Sequence, residues 1–300
     1  MKEINKKLLD KNKQFTILKK LNLTNKKFID IFFEGTRDDK NIDIYECKKT
    51  GCLFLSKVKT NLDYYKKKNG YFRDFQDYKN NKYKDDKRRS DFIKKNFRNK
   101  SLLDVGAGTG QFADLVFKSL KEITLVEPDN YLSKRLKKTY TVYDIVDHVD
   151  NKFDIITLYH VLEHIDNPLE FLSTIKKKLK NKGKVIIEVP HANDVLIKKY
   201  NLNSFKKHTF WSEHIFLYTE DVLKKMLLFL GFKKISISYI QRYDLENHIN
   251  WMLKDKNTFF ENNILNFYDN TNYKLNNQRY INYLIKNKLT DTISIIGDNG

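Results

Sequence analysis

Three alternating glycines, Gly106, Gly108 and Gly110, lie in the stretch 102–112, where an apolar run containing Asp104 leads into helix-like sequence. Because glycine lacks a Cβ atom, this spacing lets the backbone turn tightly and lets a ligand approach the amides that open the following helix. The pattern therefore predicts a small-ligand site at a strand-to-helix turn.

A carboxylate follows the glycines at the spacing used to bind a nucleoside. Glu127 ends the apolar run 123–126, about 20 residues past the glycine turn, and two vicinal ribose hydroxyls would supply the donors that a strand-tip acid needs. An acid in an ordinary surface turn is the alternative interpretation. Gln111 stands where a dinucleotide-binding loop has its third glycine, and Pro128 follows the acid, which argues against a nicotinamide cofactor.

Several histidines could act as a general base, since an imidazole has an unperturbed pKa near 6.5. His160 and His191 directly follow predicted strands, and His214 follows Glu213 in the irregular stretch 191–218. Each of these histidines could equally be a packed or surface residue, with His208 or a tyrosine serving instead. His164, near the start of the next helix, is predicted to be structural.

The two cysteines predict no metal site. Cys47 and Cys52 lie within residues 44–55, and the first histidine in the chain is His148. Structural zinc requires four ligands, so this segment is better interpreted as a hairpin with reduced thiols, and no metal is expected.

Strands alternate with helices over about 90 residues, a pattern typical of a parallel, doubly wound sheet. Strands are predicted at 101–106, 123–127, 140–143, 153–159 and 185–190, and a further pair at 235–239 and 292–296. Ligands of such a sheet lie beyond the C-terminal ends of its strands, which is where the candidate site residues fall.

The elements divide the sequence into a basic N-terminal accessory region, residues 1–88, and a ligand-binding domain, residues 89–300. The first region is predicted to contain helices and the cysteine hairpin, and the second a helical insertion over residues 244–287.

The net charge of +19 is concentrated near the N-terminus: the first 100 residues hold 29 of the 57 Lys and Arg residues but 14 of the 38 Asp and Glu residues. This basic region would suit a phosphorylated partner, although lysines scattered among asparagines favour solvated faces. No apolar run approaches the roughly 18 residues of a membrane span, so a cytoplasmic protein is expected.

Taken together, the motifs resemble those of the class I S-adenosylmethionine-dependent methyltransferases. The matching segments, in the family order, are Leu103-Asp104-Val105-Gly106-Ala107-Gly108-Thr109-Gly110, Glu127-Pro128, Phe153-Asp154-Ile155-Ile156 leading to His160-Val161-Leu162-Glu163-His164, and Gly183-Lys184-Val185-Ile186-Ile187. The resemblance implies a Rossmann-like, mostly parallel seven-stranded sheet and S-adenosylmethionine as methyl donor. The cofactor-binding residues predicted from it are Asp104, Gly106, Ala107, Gly108, Gly110, Phe112, Glu127, Pro128, Asp144 and Tyr159.

Over nearly the whole chain the sequence is similar to bacterial methyltransferases of surface-polysaccharide and sugar biosynthesis. The similarity covers the cysteine hairpin, the loop Trp211-Ser212-Glu213-His214, and the tail from Gln241-Arg242-Tyr243 to Asn247-His248. It implies a sugar or phosphorylated sugar as acceptor, with Glu213 and His214 as the first-choice acid–base pair. The chain lacks the fuller cysteine set and the longer C-terminal region of related C-methyltransferases, which favours O-methylation.

Two other functions compete with this interpretation. The basic N-terminal region could bind or help to modify RNA, which strongly salt-dependent binding would reveal. A nicotinamide-dependent oxidoreductase would carry a dinucleotide visible by its absorbance.

Overall fold

Our computed structural model describes residue 4 and residues 6–66, 75–255 and 272–300, with the backbone alone for residues 6 and 75–82. Within these described ranges the chain forms two compact units. The first comprises residues 1–59, 189–225 and 237–294, and the second comprises residues 60–188, 226–236 and 295–300.

The strands, in chain order, are β1 (Ile29–Phe33), β2 (Ile44–Cys47), β3 (Leu53–Leu55), β4 (Ser101–Val105), β5 (Glu122–Val126), β6 (Thr141–Tyr143), β7 (Phe153–Tyr159), β8 (Leu179–Pro190), β9 (Phe216–Leu217), β10 (Lys233–Ile240) and β11 (Thr292–Asp298). The helices are α1 (Lys6–Asp10), α2 (Lys13–Lys20), α3 (Leu62–Lys66), α4 (Phe75–Asn96), α5 (Gln111–Val116), α6 (Asn130–Leu136), α7 (Pro168–Lys177), α8 (Val195–Lys198), α9 (Asn203–Thr209), α10 (Glu220–Phe229), α11 (Leu245–Lys254) and α12 (Tyr273–Lys286).

Seven of the described strands form one sheet in the order β10-β11-β8-β7-β4-β5-β6. Strand β4 pairs in parallel with β5 and β7, and β5–β6 and β7–β8 are also parallel pairs. The predicted mostly parallel α/β sheet is confirmed, and β10 and β11 are neighbours as predicted. The inner strands of a parallel sheet are covered on both faces. Every residue of β4 is accordingly buried.

Helices cover this sheet with their apolar faces. Pro168 occupies the first turn of α7, where its missing N–H costs nothing, and Leu169, Leu172 and Ile175 form the buried face. One core cluster of the second unit contains Ile93, Leu102, Phe112, Val116, Ile155 and Ile186.

Strand β8 begins earlier than predicted. The sequence predicted this strand at 185–190, but Leu179 is already paired with Phe153 of β7. Backbone oxygens lie close to Gly183 within the strand, and a Cβ atom there would be 2.9 Å from Lys180 O. A glycine in a strand can mark such a close backbone approach.

The first unit contains an antiparallel sheet in the order β1-β2-β3-β9. The predicted hairpin is therefore present, with both Cys47 and Cys52 buried as free thiols. The stretch 191–218, predicted as irregular, contributes α8, α9 and β9. The predicted boundary at residue 88 falls within α4 and stays a prediction.

Helices α11 and α12 lie within the predicted insertion 244–287, of which residues 256–271 fall outside the described residues. Across the described part of the chain, no helix combines the length and apolar character that crossing a membrane requires.

Candidate active site

The glycine turn joins β4 to α5 in a conformation that favours glycine. Gly106, Gly108 and Gly110 have φ angles of +77°, +55° and +80°. A Cβ atom on Gly106 would lie 2.5 Å from Val161 Cγ2, and one on Gly110 would lie 2.4 Å from Leu136 Cδ2, whereas one on Gly108 would meet nothing within 4 Å. Gly106 and Gly110 thus serve close packing, and Gly108 faces open space where a ligand could approach.

Glu127 lies at the end of β5 and reaches the glycine turn. Its Oε2 accepts the Gly108 N–H at 2.7 Å, and its Oε1 accepts the Asp129 N–H at 2.9 Å. Burial raises the pKa of Glu127 to about 7, although these two hydrogen bonds oppose the rise. The carboxylate is held against the turn where a nucleoside would bring further donors.

A cavity of about 370 Å³ opens beside Glu127 in the second unit. Its lining includes Thr60, Asn61, Leu62, Tyr65, Gly106, Glu127, Pro128, Asp144, Asp147, His160, His164, Asp166 and Phe171. Asp144 lies at this wall, with its carboxylate 2.7 Å from His148 Nδ1 and 3.3 Å from Lys66 Nζ. Hydrogen bonds from His148 and Lys66 lower the pKa of Asp144 despite some desolvation, so it remains a charged acceptor.

A smaller cavity of about 140 Å³ also borders the glycine turn. It is lined by Asp86, Arg89, Asp104, Gly106, Ala107, Gly108, Thr109, Phe112, Tyr159 and His160. It shares Gly106 and His160 with the larger cavity. Among the predicted cofactor residues, only Gly110 lines neither cavity.

Opposite charges face each other in the smaller cavity. The Arg89 guanidinium bonds Asp86 at 3.1 Å and lies 4.6 Å from the Tyr159 ring centroid. Asp104 accepts the Thr157 hydroxyl at 2.7 Å, and burial raises its pKa to about 7. A cation beside two carboxyl groups matches the charges of an amino-acid zwitterion.

Arg89 was missed by the sequence analysis, which treated the end of the N-terminal third as a packing helix. It lies on α4 and bonds the buried Glu188 through Nε at 3.0 Å and Nη2 at 2.5 Å, while Arg88 bonds the same carboxylate at 2.8 Å. Although burial would raise it, these two guanidiniums lower the pKa of Glu188. The adjacent Arg88-Arg89 pair, in an otherwise lysine-rich helix, was the available signal.

His160 lies at the end of β7, at the wall shared by both cavities. Its φ angle of +56° is rare for a residue with a side chain and costs on the order of 1–3 kcal/mol. Its Nδ1 lies 3.1 Å from Glu163 Oε1, and its Nε2 lies 3.9 Å from Glu188 Oε1. The strained turn therefore holds an imidazole between two buried carboxylates.

His164 and Tyr65 also line the larger cavity, although the sequence analysis assigned His164 a structural role. Tyr65 Oη lies 3.4 Å from His164 Nδ1, and His164 Nε2 lies 4.0 Å from Glu163 Oε1. The spacing His160-x-x-Glu163-His164 was the available signal. Glu163 and His164 lie on a short 3-10 helix, Leu162–His164, that begins two residues after His160.

His191 is buried in the first unit. Its Nδ1 lies 3.1 Å from Thr290 O, its ring contacts that of Tyr239, and burial lowers its pKa to about 4. These contacts describe a neutral packed histidine. Its catalytic role stays a prediction that this environment does not favour.

Glu213 and His214 also lie in the first unit, in a loop with many local contacts. The His214 ring packs against Trp211, the guanidinium of Arg37 lies 4.2 Å from the Trp211 ring centroid, and Ser212 donates to Asp38. Glu213 is buried. The structure thus orders the loop firmly but leaves the proposed base role of His214 a prediction.

Comparison with known proteins identifies the family. The family model described as a methyltransferase domain matches residues 75–237, which is more than half of the chain and includes the whole lining of the smaller cavity. The chain belongs to this methyltransferase family. No curated protein is significantly similar to it in sequence.

Solved structures share the methyltransferase fold at low sequence identity. An S-adenosylmethionine-dependent methyltransferase from Archaeoglobus fulgidus is 21% identical with a TM-score of 0.50, covering 76% of this chain and 99% of that one. Phosphoethanolamine N-methyltransferase 2 of Haemonchus contortus, solved with S-adenosylmethionine, is 15% identical with a TM-score of 0.51, covering 82% and 61%. A putative methyltransferase of Haloferax volcanii, solved with the Trm112 activator, is 12% identical with a TM-score of 0.52, covering 81% and 99%.

The protein is therefore a class I S-adenosylmethionine-dependent methyltransferase, and its two cavities fit that cofactor. Arg89 and the carboxyl groups of Asp86 and Asp104 match the methionine zwitterion, and the open space at Gly108 permits close approach. Glu127 and Asp144 both line the larger cavity, and their predicted contacts to the nucleoside part of the cofactor stay predictions.

Proposed function

We propose that this methyltransferase methylates a hydroxyl group of a sugar, nucleotide sugar or related surface-polysaccharide precursor, with His160 as general base. The observation that supports this is the His160–Glu163 pair, at 3.1 Å, on the wall shared by both cavities. The sugar acceptor itself rests on the sequence resemblance.

The cofactor supplies an electrophilic methyl group on a sulfonium. The remaining work of the protein is to position the acceptor oxygen in line with that methyl group and to take up its proton. His160 lines both cavities and its side chain is 17% exposed, which supports a role for its imidazole in taking up that proton. Glu163 would stabilise the imidazolium that forms.

His214 with Glu213 is the second candidate base, favoured by the sequence resemblance to sugar methyltransferases. Both pairs combine an imidazole with a buried carboxylate, and the two candidates differ in the unit that carries them. Substituting each histidine separately and comparing the two variants therefore decides which one is the base.

The test is methyl transfer from labelled S-adenosylmethionine to a panel of free sugars and nucleotide sugars, read by mass spectrometry. We expect a methylated member of the panel, and turnover by His160→Asn should fall about 10²–10⁴-fold while cofactor affinity is kept. Turnover at the normal rate by His160→Asn, with loss in His214→Ala, would move the base to His214. Methylation of RNA and of no sugar would overturn the proposed acceptor.

A further inference from the structure

Four side chains of the second unit form a series along the larger cavity, and the proposed function uses two of them, His160 and Glu163. Tyr65 Oη is 3.4 Å from His164 Nδ1, His164 Nε2 is 4.0 Å from Glu163 Oε1, and the same Oε1 is 3.1 Å from His160 Nδ1. One oxygen of Glu163 thus faces both imidazoles.

Glu163 is more deeply buried than the two histidines of the series. Glu163 is 1% exposed, whereas the side chains of His160 and His164 are 17% and 22% exposed. A carboxylate withdrawn from water is costly unless donors or cations face it, and the two imidazoles are among the groups that face Glu163. An ionised Glu163 would therefore attract protons to both histidines.

Glu188 is the other carboxylate facing His160, but it is already engaged. It accepts hydrogen bonds from Arg88 and Arg89 of α4, while His160 Nε2 lies farther away, at 3.9 Å. Two guanidiniums compensate its charge, so its effect on a proton at His160 is weaker. Glu163 is the carboxylate whose described contacts are to histidine.

We propose that Glu163 is the positioning residue of this site and that His164 and Tyr65 continue a proton path from it. The inference rests on the proposed function, in which His160 is the base, and it names the groups that position His160 and carry its proton away. Glu163 Oε1 accepts the Nδ1–H of His160, which leaves Nε2 as the proton acceptor.

The proton balance of this path is simple. The acceptor oxygen forms its bond to the methyl carbon as the sulfonium bond to that carbon breaks, and the hydroxyl proton passes to His160 Nε2. Glu163 stabilises the resulting imidazolium. After transfer, the Nδ1 proton of the imidazolium passes through Glu163, His164 and Tyr65 to solvent and leaves neutral His160 with its proton on Nε2. Once the product has left, Nε2 gives that proton to water and a proton returns to Nδ1 along the same path, so that one proton is released per turnover and the starting tautomer is restored.

The first test compares Glu163→Gln with Glu170→Gln, an exposed glutamate on α7 whose described partner is Asn167. In Glu163→Gln we expect kcat to fall about 10²-fold and the acid limb of the kcat/KM profile to move about one unit lower in pH. The KM for S-adenosylmethionine should hold, and Glu170→Gln should match the wild type. A fall in kcat without a shift in the acid limb of the pH profile would overturn the inference. Activity that EDTA abolishes and a divalent cation restores would also overturn it.

The second test needs no acceptor, so it separates this inference from the proposed function. In 15N-histidine NMR spectra, with His160→Asn to assign the signal, neutral His160 should be the Nδ1–H tautomer in the wild type. The Nε2–H form should gain population in Glu163→Gln. An unchanged tautomer would overturn the positioning role, whereas absence of methyl transfer by the wild type would overturn only the proposed function.

Discussion

Near neutral pH, the carboxyl group of Glu127 is partly protonated and partly ionised. Burial raises its pKa to about 7, and its two backbone donors oppose that rise without cancelling it. A cofactor whose ribose hydroxyls donate to the carboxylate would favour the ionised form, and binding would then release a proton.

From this linkage we expect the affinity for S-adenosylmethionine to fall as the pH drops from 8 to 6. Glu127→Gln should bind more weakly at pH 8 and show a smaller pH dependence, with Asp104, whose pKa is also about 7, supplying the remainder. Isothermal titration calorimetry across that range measures both. The exposed Glu122, on the same strand, provides the matched control Glu122→Gln. Identical pH dependence in wild type and Glu127→Gln would contradict the assignment.

Individual residues also show which parts of the site a sequence motif can predict and which it cannot. Gly106, Gly108, Glu127 and His160 were predicted from local sequence and lie at the cavities. Arg89 was missed, and Tyr65 was not singled out, because each comes from a separate helix and meets the site only through tertiary contacts. A motif contains residues close in sequence, and these two are not.

At the scale of elements, the tail from Gln241 to His248 has a structural explanation. His248 on α11 lies 2.8 Å from Tyr280 Oη of α12 and 3.1 Å from Gln241 Nε2, which donates to Asp291 at 2.8 Å. These groups join α11 and α12 to the segment before β11 through a buried polar network. Satisfied networks of this kind specify one packing arrangement.

The network predicts a pH-dependent contribution to stability. Burial lowers the pKa of His248 to about 4, below its usual 6.5, so the unfolded chain binds a proton more readily. The stabilisation is fully present above pH 6.5 and is lost as the pH falls toward 4, by up to about 3 kcal/mol.

We therefore expect His248→Phe to lower the free energy of unfolding at pH 7, with the gap to the wild type narrowing between pH 6.5 and 4. Urea denaturation at several pH values measures that difference, in which contributions from other titrating groups largely cancel. His148→Phe, at an exposed position, is the control. A gap that stays constant with pH would show that His248 does not titrate as its burial requires.

For the whole molecule, the cofactor-fitting residues all belong to the second unit. A ligand at 100 times its dissociation constant stabilises the form that binds it by about 2.7 kcal/mol. We expect S-adenosylmethionine to slow amide hydrogen exchange mainly within residues 60–188, most strongly at 106–112 and 127–129. Gly108→Arg, which fills the open space at the turn, should abolish that protection. Protection concentrated in residues 189–225 would contradict the site assignment.

The net charge of +19 is a property of the whole chain that does not describe the cofactor site. The larger cavity contains Glu127, Asp144, Asp147 and Asp166 within its described lining, and the smaller one sets Asp86 and Asp104 around Arg89. A lysine-rich surface and an acidic cavity can occur in one protein because charged side chains at the surface are solvated by water. The charges inside a cavity are instead those that can contact its ligand.

The sequence by itself determined the parallel sheet, the glycine turn and the acid at the end of β5, because each depends on apolar periodicity or on glycine conformations that are local along the chain. It also placed His160 at a strand end. Only the tertiary structure decided that Arg89 meets Asp86 at the smaller cavity, that Glu163 faces two histidines, and that His191 is buried against Thr290. Those outcomes depend on packing between segments distant in sequence, which no local pattern encodes.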